Sequence, residues 1–131
     1  MRLFFAGVSE QDTKQETWEY AEDQGCDWVT DKEFSFRHRN NVKQLIGNYL
    51  DHCDQIILSI DLGSLKTKNS LDGTSEIDIQ MVLRTIRQCL VAGKVRAIQL
   101  VGDRDRLVYS RQTKAILEEL YQMAPLIVHA A

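Results

Sequence analysis

The sequence predicts a single α/β domain over residues 1–131: a Rossmann-like, three-layer α/β/α sandwich around a parallel sheet. Three observations carry that prediction. Short apolar runs alternate with segments of helical periodicity four times over, the pattern of βαβ units. The stretch Asp54–Leu65, D-Q-I-I-L-S-I-D-L-G-S-L, holds a nearly continuous apolar run at Ile56, Ile57, Leu58 and Ile60, which predicts a strand buried on both faces. At 44% hydrophobic and 27% charged, 131 residues are enough to bury a core without disulfides or metals.

The first strand is predicted over residues 2–8 (R-L-F-F-A-G-V), rich in aromatic and branched residues and ended by Gly7-Val8-Ser9. From Asp12, Trp18 and Ala21 (with Tyr20) recur at helical intervals, and Gly25 stands where a C′ stop belongs. Asp12 and Thr13 are both candidate caps. Thr13 fits best, because Glu16 follows it at capping-box spacing. Residues 26–30 (C-D-W-V-T) predict a short second strand, and residues 31–41 a polar loop anchored by Phe34 and Phe36. Val42, Leu45, Ile46, Tyr49 and Leu50 then mark an amphipathic helix closed by His52-Cys53-Asp54.

The third strand follows at residues 55–60, with Asp61 at its end. Gly63 to Ser75 is the longest loop, and loops of that length are often functional. Ser75 or Thr74 is expected to cap a helix whose Ile77, Met81, Leu83, Ile86 and Leu90 face inward, with Gly93 as its stop. The fourth strand, residues 95–101 (V-R-A-I-Q-L-V), alternates and so is buried on one side or lies near an edge. A charged loop at Gly102–Arg106 leads to a helix from Tyr109 to Met123, with Ile116, Leu117 and Leu120 as its apolar stripe. Pro125 stops it, and Leu126 to Val128 form a short strand or a tail. Right-handed crossovers and one reversal of winding give strand order 2-1-3-4. Ile57 and Ile60, with Phe4 and Leu100, are the expected core of that sheet.

A net charge of −3 favours neither nucleic acid nor membrane as a partner. The charge is uneven, however. Residues 1–35 hold nine acids against three bases, whereas residues 84–114 hold eight bases against Asp103 and Asp105. Two solvated faces, or a charge-complementary partner, both fit that asymmetry. Cys26, Cys53 and Cys89 are odd in number and lack C-x-x-C spacing, which points to reduced thiols in a cytoplasmic protein. No apolar run approaches the ~18 residues of a membrane span, and the apolar stretch after Arg2 is too short for a secretory signal.

Ligands of open parallel sheets bind beyond the carboxyl ends of the strands. The residues there are Ser9, Asp61, Gly63, Gly102 and Asp103, and they form the candidate site. A receiver-like module would use Asp61 as phospho-acceptor, but it needs an acidic pair after the first strand, where Gly7-Val8-Ser9 stands. A nucleotide or nucleic-acid module would use Arg84, Arg87, Arg96, Arg104, Arg106 and Arg111. It lacks a glycine-rich phosphate loop and, apart from Tyr109, interleaved aromatics.

Several blocks resemble the carboxyl-terminal half of the arginase (ureohydrolase) superfamily, most closely its formimidoylglutamase branch. Ser59-Ile60-Asp61-Leu62-Gly63 resembles the S/T-x-D-x-D motif, with glycine in place of the second aspartate. Val91-Ala92-Gly93-Lys94-Val95 is similar to the family's S/A-G-K-V block. Gln99 to Asp105 stands where the family has D-x-V-E-x-N-P, with Gly102 in place of the substrate-holding glutamate. Thr113-Lys114-Ala115 resembles the start of the closing helix, and Gly7-Val8-Ser9 with Asp12-Thr13, Trp18, Ala21 and Gly25 resembles the formimidoylglutamase segment.

The resemblance implies strand order 2-1-3-4 if a strand missing between the first and third is closed up. In the family, two manganese ions are held by this motif and by G-G-D-H and D-x-H-x-D clusters of an amino-terminal half without counterpart here. The resemblance therefore implies a truncated or degenerate hydrolase domain, inactive alone, with no cofactor. Asp61 is then a relic of a metal site, or a carboxylate that caps the Gly63–Ser75 loop. His38, His52 and His129 are not spaced as ligands of one site. Losing the other half also implies exposed sheet edge and helix surface, and hence a homodimer or a separately encoded protein partner.

Overall fold

A computed structural model of the chain describes residues 2–11, 13–62, 77–102 and 111–126. Its strands are β1 (Phe4–Val8), β2 (Asp27–Thr30), β3 (Ile56–Asp61) and β4 (Val95–Val101). Its helices are α1 (Gln15–Asp23), α2 (Arg39–Asp51), α3 (Ile79–Val91) and α4 (Arg111–Met123). Short 3-10 turns lie at Phe36–His38 and Ala124–Leu126, the latter where a strand or tail was expected to begin.

The strands are parallel, and the architecture is the α/β/α sandwich. β1 pairs with β2 from Phe4 opposite Asp27 to Val8 opposite Thr30, with an irregularity between Ala6 and Val8. There Gly7 takes φ +82°, a left-handed conformation that glycine adopts without steric cost. β3 pairs with β4 from Ile56 opposite Val95 to Asp61 opposite Val101. The neighbours 2-1 and 3-4 are therefore as expected. The junction between β1 and β3 is not: among the described residues the strands form two separate two-stranded sheets.

The helices span the two ladders. Tyr49 of α2 stacks its ring 5.4 Å from Phe4, and its hydroxyl donates to the Arg2 carbonyl at 2.7 Å, so α2 crosses β1 on its way from β2 to β3. A right-handed crossover over β1 puts β3 on the side of β1 away from β2. The return path from β1 to β2 winds the other way, and α1 accordingly lies on the opposite face, where Trp18 stacks on Trp28 at 5.1 Å. α2 packs on α3 through Gln88 Nε2, which donates to the Lys43 carbonyl at 2.7 Å. α3 packs on α4 through Arg87 and Glu119.

One hydrophobic cluster unites β2, α2, β3, α3, β4 and α4, centred on Val29, Val42, Ile86, Leu90, Val95 and Ile116. Ile60 belongs to it, and Phe4 packs against it. Ile57 and Leu100 do not fulfil the expectation of burial. Ile57 is 69% exposed and Leu100 38%. β3 alternates, with Ile56, Leu58 and Ile60 turned to the helices and Ile57, Ser59 and Asp61 turned away. Among the described residues no helix covers that outer face of β3 and β4. Leu117 is likewise 47% exposed, and α4 buries Thr113, Ile116 and Glu119 instead.

The caps also differ from expectation. Lys14 holds the N-cap position of α1 without a side-chain bond, while the Thr13 hydroxyl donates back to the Ser9 carbonyl. Asp78 caps α3, accepting from the Gln80 N–H at 2.9 Å; Thr74 and Ser75 lie outside the described residues. Gly25 does stop α1: at φ +71° its N–H bonds the Glu22 carbonyl and the Cys26 N–H bonds that of Ala21, a Schellman turn.

Candidate functional site

The carboxyl ends of the four strands carry Ser9 after β1, Asp31 after β2, Asp61 at the end of β3 and Gly102 after β4. The parallel register brings Asp61 opposite Val101 and so beside Gly102. Ser9 ends a strand of the other ladder, so the candidate residues are divided between two sheets. Gly63 and Asp103 lie outside the described residues. Where β1 ends, a side chain in place of Gly7 would meet Ile77 Cδ1 at 3.0 Å and Phe34 at 3.6 Å, so the segment entering α3 packs directly on that terminus.

The most buried polar group at this rim is Asp31, which sequence reasoning left inside a generic loop. It is 9% exposed, and its Oδ1 accepts from the Glu10 N–H at 3.3 Å and the Lys32 N–H at 2.9 Å. Its own N–H donates to the Val8 carbonyl at 2.8 Å. Asp31 therefore ties the ends of β1 and β2 together through backbone groups. Next to it, Thr30 and Glu33 cap each other. Glu33 Oε1 accepts from the Thr30 N–H and hydroxyl at 3.1 and 2.9 Å, and the Glu33 N–H donates to that hydroxyl at 3.3 Å. The signal for this turn was present in the sequence as T-D-K-E, a reciprocal hydroxyl–carboxylate spacing.

The block Ala92-Gly93-Lys94-Val95 is scaffold. Gly93 takes φ +72° at the end of α3, Val95 is fully buried, and Lys94 Nζ donates to the Leu50 carbonyl at 2.6 Å. A cation there complements the carboxyl end of the α2 dipole.

A pair of divalent ions needs several oxygen and imidazole ligands converging on one point. The side chain of Asp61 is at an exposed position, and among the described residues no three His, Cys, Asp or Glu side chains converge. His38 stands at the amino end of α2 and His52 at its carboxyl end, with His52 Nδ1 2.7 Å from the Asn48 carbonyl. His129 lies outside the described residues. These residues do not fit a dinuclear manganese centre.

Two other features lie outside this set of residues. A shallow cleft of about 220 Å3 opens at the amino ends of β1 and β2, between Arg2, Asp27, Tyr49 and His52. Arg2 and Asp27 are ion-paired within it at 3.3 Å. Burial first, then the neighbouring Cys53, pushes the Tyr49 phenol above its ordinary range. Where the chain passes from β2 into α2, Phe36 is 48% exposed beneath the guanidinium groups of Arg39 and Arg84, at 4.2 and 5.6 Å from the ring centre. Among the described residues no helix is long and apolar enough to cross a membrane.

No protein-family model and no curated protein matches this sequence. Its fold, however, matches the crystal structure of arginase from Bacillus subtilis strain 168, with a TM-score of 0.70 at 18% sequence identity. The match covers 92% of this chain and 42% of the arginase chain. This chain therefore has an arginase-like α/β fold and spans less than half the length of the arginase it overlays.

Proposed function

We propose that the chain is a degenerate, ureohydrolase-like half-domain of formimidoylglutamase type, which works as an assembly module and not as a hydrolase by itself. One observation carries this reading: nearly the whole chain overlays on less than half of an arginase. The residues at the strand ends support it. Glycine stands at positions 63 and 102, where the family's motifs have an aspartate and a glutamate. The acids that remain at the ends of β1 and β2 bond backbone N–H groups and a threonine, as structural groups do.

The nucleic-acid reading is weaker, because Arg87 is held by Glu119 and Arg96 by Gln55 at 2.8 Å. The purified chain, dialysed against manganese and analysed for metal, is expected to retain no stoichiometric pair of ions and to hydrolyse neither a formimino nor a guanidino substrate. Retained metal with turnover would overturn the reading.

A further inference from the structure

We propose that this chain assembles with copies of itself head to tail, the acidic face of α1 in one copy docking on the basic seam between α2 and α3 of the next. The inference rests on the reading of the chain as an assembly module, and it names the partner and the two surfaces. On α2, Arg39 and Lys43 stand one turn apart. Gln88 of α3 donates to the Lys43 carbonyl at 2.7 Å, and Arg84 lies one turn before Gln88, so it runs alongside Arg39. The guanidinium groups of Arg39 and Arg84 accordingly converge on the ring of Phe36, which is half exposed. α3 contains no acid, and α2 none before Asp51 at its far end.

α1 is the complement of that seam. Glu16, Glu19, Tyr20 and Asp23 recur at intervals of three and four and are all exposed, so they form one face. With Glu22 the helix holds four acids and no base, and their mutual repulsion works against it. Among the described residues the ion pairs join Arg2 to Asp27, Lys32 to Glu10 and Arg87 to Glu119. None of them engages the acids of α1, or Arg39, Lys43 and Arg84. Glu19 and Asp23 are one turn apart, as Arg39 and Lys43 are, so two ion pairs can form at the same spacing of about 6 Å. Tyr20 and Phe36 add an exposed aromatic to each surface, and aromatic residues and arginine are enriched at interfaces.

The two surfaces of one chain cannot meet. Phe4 and Asp27 stand side by side in the ladder and face α2, whereas Trp28, the next residue of β2, faces α1. α1 and the seam therefore lie on opposite sides of the β1–β2 sheet. A contact between unlike patches is heterologous, so copies add in series, as an open chain or a ring.

The test is light scattering of the full chain after nuclease treatment. The mean mass is expected to rise with concentration past that of two chains. It should return to that of one chain in about 1 M salt, where the screening length is about 3 Å. Glu19→Lys with Asp23→Lys reverses one surface, and Lys43→Glu with Arg84→Glu the other; all four positions are exposed, so neither change touches the core. Each double variant alone should associate about tenfold or more weakly than the parent. An equimolar mixture of the two should associate as tightly as the parent, because each then offers the complement of the other. The mass of one chain at every concentration, association indifferent to salt, a variant that associates like the parent, or a mixture that does not recover would overturn the proposal. So would a rise in mass seen only before nuclease treatment, which would give the seam to nucleic acid. The manganese and hydrolysis assays decide the half-domain reading separately, so an inactive chain that stays monomeric sinks only this proposal.

Discussion

The two faces of the sheet are built on different terms. On one face α2, α3 and α4 pack side by side, and α3, between the other two, buries Met81, Leu83, Ile86, Cys89 and Leu90. On the other face α1 buries no residue fully and rests on the contact between Trp18 and Trp28. β3 and β4 have no helix over them there among the described residues, which leaves Ile57 69% exposed. A helix contributes to stability in proportion to the neighbours that close over its apolar stripe, and α1 has few. The crowded face holds the fold, and the thin face leaves apolar side chains such as Ile57 open to solvent.

Paired substitutions give that contrast its largest expected effect. Ile86, 1% exposed on the inner side of α3, should cost ~2–5 kcal/mol when truncated to alanine. Ile57→Ala, on the open face, should cost under ~0.5 kcal/mol. Urea midpoints of the two variants measure the difference directly, and equal losses would mean that the outer face is covered in solution.

A second expected effect comes from alkali. Burial raises the Cys89 thiol from 9.0 to about 11. Its neutral form is favoured in the folded state, so its contribution is fully present below about pH 9 and is lost as pH rises through about 11. The loss should be on the order of 2–3 kcal/mol. Melting Cys89→Ala alongside the parent across that window should show a shallower alkaline decline.

Removing the link between α3 and α4 should matter less. Arg87 is bidentate to Glu119, with Nη2 3.0 Å from Oε2, and Glu119 holds the guanidinium above its already high range. The carboxylate is 9% exposed while the arginine is half exposed, so water recovers part of the lost partner. Arg87→Ala should cost ~1–3 kcal/mol, below the full penalty of an orphaned buried charge. Glu119→Gln with Arg87→Ala should recover part of it in a double-mutant cycle.

Among the helices, the smallest effect belongs to α1. Trp18→Ala should cost about 1 kcal/mol, chiefly the aromatic pair with Trp28. It should also speed amide exchange in α1 well before α3 is affected.

Of the candidate site, Asp61 and Ser9 were legible as strand-end residues because a parallel sheet puts its loops there whatever their content. Asp31 was not. Its importance lies in three backbone bonds to Glu10, Lys32 and Val8, two of which depend on β1 lying beside β2. The cap of α3 was misplaced for a similar reason: Thr74, Ser75 and Asp78 all have capping side chains, and only the path of the chain selects Asp78.

The sequence by itself determined where strands and helices lie, that the strands are parallel, and which pairs are neighbours. Those follow from apolar period, from Gly25 and Gly93 at helix ends, and from the fixed hand of βαβ crossovers. Tertiary structure alone decided whether β1 and β3 join and whether Ile57 is covered. An apolar run such as Ile56–Ile60 says that both of its faces can be buried. Whether anything buries the second depends on which helices the whole chain supplies.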